Sequence, residues 1–107
     1  MKLPPDAIIA ERKITEYLLV RRVDDDKSQF LAVAGYTLKH ADQLLADLRE
    51  QLRLDAEFTT QTAYGKKYQI RGSLTGPNGR TLRIVTIWMI ERATNQTKFV
   101  TLIPDKP

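Results

Sequence analysis

Lys27 directly follows three aspartates, Asp24-Asp25-Asp26, so its ammonium is placed either to steady a phosphate oxyanion or to be held in ion pairs with those carboxylates. His40, Arg83, Thr86 and Thr101 are the other side chains whose types suit phosphoryl chemistry. In RNA cleavage by the substrate's own 2′-hydroxyl, Lys27 and Arg83 would offset the charge on the pentavalent phosphate, and Thr86 or Thr101 would donate hydrogen bonds to it. Such a reaction also needs a proton carrier titrating near neutrality, and His40 is the one histidine in the chain. It falls beside Lys39 at the start of a helical pattern, where both the helix N-terminus and the lysine oppose its protonation. A histidine serving only the helix start is the plain alternative. The aspartate run lacks the alternate spacing and closing glutamate of a calcium loop. No paired histidines or Ser-His-Asp set occur, so neither a metal nor a cofactor is expected, and enzymatic activity is not the leading expectation.

A second set of residues suits binding rather than catalysis. From Met1 to Glu57 there are nine Lys/Arg against eleven Asp/Glu, and from Phe58 to Pro107 eight against two. The basic half is patterned as strands, and Lys67, Gln69, Arg71 and Arg83 fall on the alternation opposite Tyr68, Ile70, Ile84 and Trp88. They are expected on one outer sheet face, with Arg80 close by in a turn. Cations and amides so placed can neutralise phosphates or meet an acidic protein surface, whereas a merely solvated face alternates in the same way. Val85, Ile87 and Met89 share that face and make it more apolar than a wet face, so something should cover it. The N-terminal arm with Ile8 and Ile9, a second copy of the chain, or a partner protein are the candidates.

The elements that must position these groups follow from periodicity. Leu3-Pro4-Pro5-Asp6 is extended or turned, making residues 1–10 an arm. Within residues 11–53 the pattern predicts three helices. The first is short, over Glu11 to Val20; the second, over Lys27 to Ala34, is capped by an aspartate and ended by Gly35. The third and longest begins at Thr37, with Leu38, Ala41, Leu44, Leu45, Leu48 and Leu52 as its apolar stripe. Over residues 56–103 the period changes to two, predicting an antiparallel sheet of four strands. Thr75-Gly76-Pro77-Asn78-Gly79-Arg80 is the strongest turn in the chain; an anion nest is the alternative, disfavoured because Pro77 lacks a donor and no helix follows. The expected fold is α+β: three N-terminal helices on one face of a four-stranded antiparallel meander, within a single domain spanning 1–107.

Composition narrows the classes. No cysteine is present, which excludes a disulfide framework and a thiolate nucleophile and makes the cytoplasm the default compartment. Nothing approaches the roughly 20 apolar residues of a membrane span, and the first residues lack a signal-peptide core. The net charge of +4 permits either nucleic acid or an acidic protein as partner.

Lys13-Ile14-Thr15-Glu16-Tyr17-Leu18-Leu19, Tyr64-Gly65-x-x-Tyr68, Leu74-Thr75-Gly76-Pro77-Asn78-Gly79 and Val85-Thr86-x-Trp88 together resemble an uncharacterised bacterial family of small domains. The resemblance runs over nearly the whole chain. Members of that family stand alone in some genomes and form C-terminal modules of phage-head-like or polymorphic-toxin proteins in others, which implies a toxin effector, a ribonuclease among the options. The relatives tend to carry histidine, glycine and lysine in the loop before the second helix, and only Lys27 matches. The resemblance therefore implies that any nuclease activity is degenerate here. The leading expectation is a non-enzymatic binding domain using Lys67, Gln69, Arg71, Arg80 and Arg83 towards an acidic protein partner. A ribonuclease-like toxin and a homo-oligomer joined through Val85, Ile87 and Met89 are the alternatives.

Overall fold

Four strands make an antiparallel meander in chain order: β1 (Glu57–Thr62), β2 (Gly65–Thr75), β3 (Thr81–Glu91) and β4 (Thr97–Pro104). The structure, a computed structural model, describes residues 1–106. β2 and β3 pair without interruption from Gly65↔Glu91 to Thr75↔Thr81, because the Gly76–Arg80 turn fixes their register at the first pair. β3 lies between β2 and β4 and only Thr81 and Arg83 on it are exposed, which fits its apolar residues on both alternations.

The helical part precedes the sheet and is more broken than periodicity predicts. α1 (Glu11–Lys13) runs into a π-helical turn (Ile14–Leu18), closed by the Leu19 N–H on the Ile14 carbonyl at 3.0 Å. α2 spans Ser28–Ala32, where Asp26 accepts from the Ser28 N–H at 2.9 Å and Gly35 takes φ 90° just beyond the helix. α3 (Ala41–Glu50) is entered through a 3₁₀ turn (Leu38–His40) and left through another (Gln51–Arg53). Only Leu44, Leu48 and Leu52 of the predicted stripe are fully buried, and Leu38 is largely exposed. The tighter 3₁₀ entry rotates Leu38 away from the face that α3 presents to the sheet.

The core fills the space between these helices and the inner sheet face. Tyr68, Ile70, Leu74, Leu82, Ile84, Trp88, Phe99 and Leu102 meet Ile14, Leu18, Leu31, Leu44, Leu48 and Leu52 there. Gly76 is required at the hairpin turn, since a Cβ on it would lie 2.1 Å from the Ala34 carbonyl oxygen. Asn78 secures the same junction, its side chain donating to the Val33 carbonyl at 3.0 Å. Thus the Gly-Pro-Asn-Gly segment is a clamp between hairpin and α2. Tyr36 is buried against α3 and donates to Asp47 at 2.6 Å; burial first, and then that carboxylate, push its phenol above the ordinary tyrosine range.

The N-terminal arm does not cover the outer face. Leu3, Ala7 and Ile9 enter the core, and Ile8 pairs in parallel with Lys98 on the β4 edge. Although its period-two alternation would suit a half-buried strand, β1 is exposed throughout apart from its last residue, because it is an edge strand that the helices do not reach. Phe58 lies edge-to-face on Tyr68 at 5.7 Å between ring centroids.

Candidate functional site

Lys67, Gln69, Arg71 and Arg83 emerge together on the outer sheet face, across from Met89, Ile87, Val85 and Ser73 respectively. The patch is a stripe rather than a compact cluster: Lys67 and Ser73, the partner of Arg83, are six residues apart on one strand, about 20 Å at strand rise. Arg71 is also committed. Its guanidinium donates to Asp105 at 2.7 Å, linking β2 to the end of β4 across β3. Asp105 follows Ile103 on the period-two pattern and is held there by its N–H on the Arg83 carbonyl at 2.9 Å. Continuing the alternation past Pro104 would have placed it on this face. Arg80 lies off the face in the β2–β3 turn, its N–H on Asn78.

Between these cations the face is apolar. Val85 is buried, Ile87 and Met89 are half-buried and Ile103 is exposed. Val85 is not part of the main core, so the outer face holds a small apolar cluster of its own beneath the Arg71–Asp105 pair. Beside it an open groove of about 710 Å³ is lined by Arg53, Leu54, Arg71, Gly72, Ser73, Arg83 and Asp105, among others. Gly72 allows the floor to form, because a Cβ there would lie 2.1 Å from the Gln51 Oε1. The Gln51 side chain instead fits under the strand and donates to the Ser73 carbonyl at 3.0 Å.

A second cluster forms where the loop before α2 meets the π-turn and β4. Lys27, most of its side chain buried, contacts the Asp25 Oδ1 at 2.9 Å. Tyr17 donates its phenol to the other Asp25 oxygen and lies 3.4 Å from the Thr101 hydroxyl. Arg22 stands 5.0 Å from the centre of the Tyr17 ring and Lys13 5.9 Å. The hydrogen bonds from Tyr17 and Lys27 hold the Asp25 carboxyl below its ordinary range, so it is ionised at neutral pH. The fold therefore brings Lys27 and Thr101 into one neighbourhood. In sequence Tyr17 is only one residue of the first helical stretch, and the local charge of Asp25 alone gave no sign that it would bridge the two groups.

The remaining candidates lie elsewhere. His40 is turned back on the helix entry, its Nδ1 3.3 Å from the Thr37 N–H and 3.0 Å from the Thr37 hydroxyl. Thr86 is fully buried on the inner face, accepting from the Trp88 Nε1 at 2.8 Å and donating to the Ile70 carbonyl at 3.4 Å. Its hydroxyl satisfies the one polar atom of the largest core side chain. Arg83, on the outer face, is on the opposite side of the sheet from Thr86.

The arrangement is that of a small α+β domain with helices on one face of a four-stranded antiparallel sheet. Residues 3–106 match the family model described as a domain of unknown function, DUF6883, and the chain belongs to that family. No curated protein matches it. Among solved structures, the chain is similar to one described as a contact-dependent growth inhibition toxin–immunity protein complex from Klebsiella pneumoniae 342. The identity is 14% and the TM-score 0.68, over 92% of this chain and 100% of that one, a likeness of fold. No helix among the described residues is long and apolar enough to cross a membrane.

Proposed function

We propose that this chain is a non-enzymatic binding domain that engages an acidic protein through the outer sheet face. The observation that carries the reading is the composition of that face: Lys67 and Arg83 flank the half-buried Ile87 and Met89 and the exposed Ile103. Apolar area ringed by cations is the anatomy of a protein interface rather than of a phosphate track, which would be polar throughout. The Arg71–Asp105 pair supports the same reading, since it removes one cation from any nucleic-acid footprint. The similar solved chain belongs to a toxin–immunity protein complex, which also supports a protein as the partner. The test is affinity capture from the source cell followed by titration calorimetry with the captured protein expressed alone. An acidic partner is expected, and Lys67→Glu with Arg83→Glu should weaken it at least about tenfold. Binding that is indifferent to both reversals sinks the reading.

A second reading, a ribonuclease-like toxin, is favoured by one observation: Thr101 lies beside Tyr17, 84 residues away in sequence, and Tyr17 shares Asp25 with Lys27. Lys27 would balance phosphate charge. Purified chain incubated with total RNA is expected to produce discrete fragments on this reading, and Lys27→Ala to produce none. RNA left intact at high protein concentration removes it.

A further inference from the structure

Asp25 makes contacts that an oxyanion ligand would make. Its two carboxylate oxygens take separate donors, Oδ1 the Lys27 ammonium at 2.9 Å and Oδ2 the Tyr17 phenol. The Thr101 hydroxyl stands 3.4 Å from that phenol, and the Arg22 guanidinium lies over the same ring. The two donors to Asp25 come from the π-turn and the α2 entry, and Thr101 of β4 stands beside the phenol with its hydroxyl on the Leu102 carbonyl at 3.3 Å, so three parts of the fold surround the carboxylate. The carboxylate comes instead from an exposed loop.

Two features mark the carboxylate as an occupant rather than a wall of the site. Asp25 takes φ 53°, one of only two non-glycine residues in the left-handed region among those described. Holding it there costs backbone energy, which its contacts with Tyr17 and Lys27 offset. The asymmetry of burial is the second. The Lys27 side chain is 13% exposed and that of Asp25 59%, so the cation is set into the fold and the anion reaches it from the solvent side. Without Asp25, the largely buried Lys27 side chain has no other carboxylate in ion-pair contact among the described residues, although Asp24 and Asp26 are near it in sequence, and an external anion can take that contact.

We infer that Lys27, Tyr17 and Thr101 form a phosphate-class oxyanion site that the chain's own Asp25 occupies. The loop is then a built-in plug, and the site opens when the carboxylate is displaced. This requires neither RNA cleavage nor the protein partner proposed above, because the property at issue is binding alone.

The experiment uses the full chain and its Asp25→Gly variant, glycine being free to keep the positive φ without the carboxylate. Two probes distinguish the sources of the same chemistry: inorganic phosphate, and a short oligoribonucleotide with 2′-O-methyl sugars that cannot be cleaved. Binding is read by titration calorimetry and by shifts of the Tyr17 ring resonances. Asp25→Gly is expected to bind at least one probe about tenfold or more tighter than the parent chain, and Lys27→Met in the same background to lose the gain. Preference for the oligoribonucleotide assigns the site to a phosphodiester, and preference for inorganic phosphate to a free anion. Equal affinity in the parent and Asp25→Gly overturns the plug, and a gain that survives Lys27→Met overturns the site. If Asp25→Gly fails to fold by circular dichroism, Asp25→Asn decides: it removes the charge but preserves the shape, and the same gain is required of it.

Discussion

Trp88→Ala is expected to lower the stability of this domain by about 3–5 kcal/mol, the range for deleting a buried aromatic from a packed core. Trp88 is fully buried on the inner face of β3, edge-to-face with Phe99 at 5.3 Å between ring centroids and paired across the strands with Tyr68. The loss has two parts. The first is the cavity left among Ile70, Ile84, Phe99 and their helical neighbours, which strands at fixed spacing cannot close. The second is polar: Trp88 Nε1–H is bonded to the Thr86 hydroxyl at 2.8 Å, and both atoms lie where no water competes. Against a total of roughly 5–15 kcal/mol for a domain, the change should leave the chain marginal. Urea unfolding followed by far-ultraviolet circular dichroism measures it, since the chain's single tryptophan is removed by the substitution. Trp88→Phe, which retains a ring but no N–H, should cost clearly less. A midpoint for Trp88→Ala equal to that of the parent would show that the Trp88 site collapses without a cavity.

The sheet was legible because its signals are local and mutually consistent. Alternation over Tyr68, Ile70 and Leu74, the Gly76-Pro77-Asn78-Gly79 turn and the doubly apolar run from Leu82 to Ile90 each specify the same hairpin, and β3 contains that whole run. The helical part was less legible, because short helices gain little from propensity and take their geometry from the surface they pack against. Thus Thr37 did mark the start of the long helix, but the first turn is 3₁₀ and His40 serves its cap. Val85 shows the limit on the functional side. Its apolar character on an outer face raised the question of a cover, and the arm does not supply one, because Ile9 has a deeper place in the core. The Arg71–Asp105 pair that overlies this region joins residues 34 apart, and pairing at that distance follows from strand register rather than from any local pattern.

Removing residues 1–9 should destabilise the domain as severely as Trp88→Ala, although the Pro-Pro opening reads as a dispensable extension. Leu3, Ala7 and Ile9 are each less than a tenth exposed and belong to the main core. Burying Leu3 and Ile9 contributes roughly 1.5–3 kcal/mol each, so their loss alone exceeds about 3 kcal/mol. Polar contacts are lost with them. Ile8 donates to the Thr97 carbonyl and accepts from the Phe99 N–H, both at 2.8 Å, while Arg49 reaches the carbonyls of Pro5 and Ala7 at 2.9 and 3.0 Å. Without the arm, the β4 backbone groups at Thr97 and Phe99 become an open edge, and Arg49 is left beside vacated apolar surface. The melting temperature of the truncated chain should fall by at least about 10 °C, with concentration-dependent association through the bared edge. Scanning calorimetry and light scattering measure the two effects. Leu3→Ala with Ile9→Ala provides the decisive control: it empties the same core positions but leaves the Ile8 pairing in place, so it should lower the melting temperature without promoting association. If the control associates as strongly as the truncation, the exposed core rather than the β4 edge drives the contact, and the arm's role as an edge guard fails.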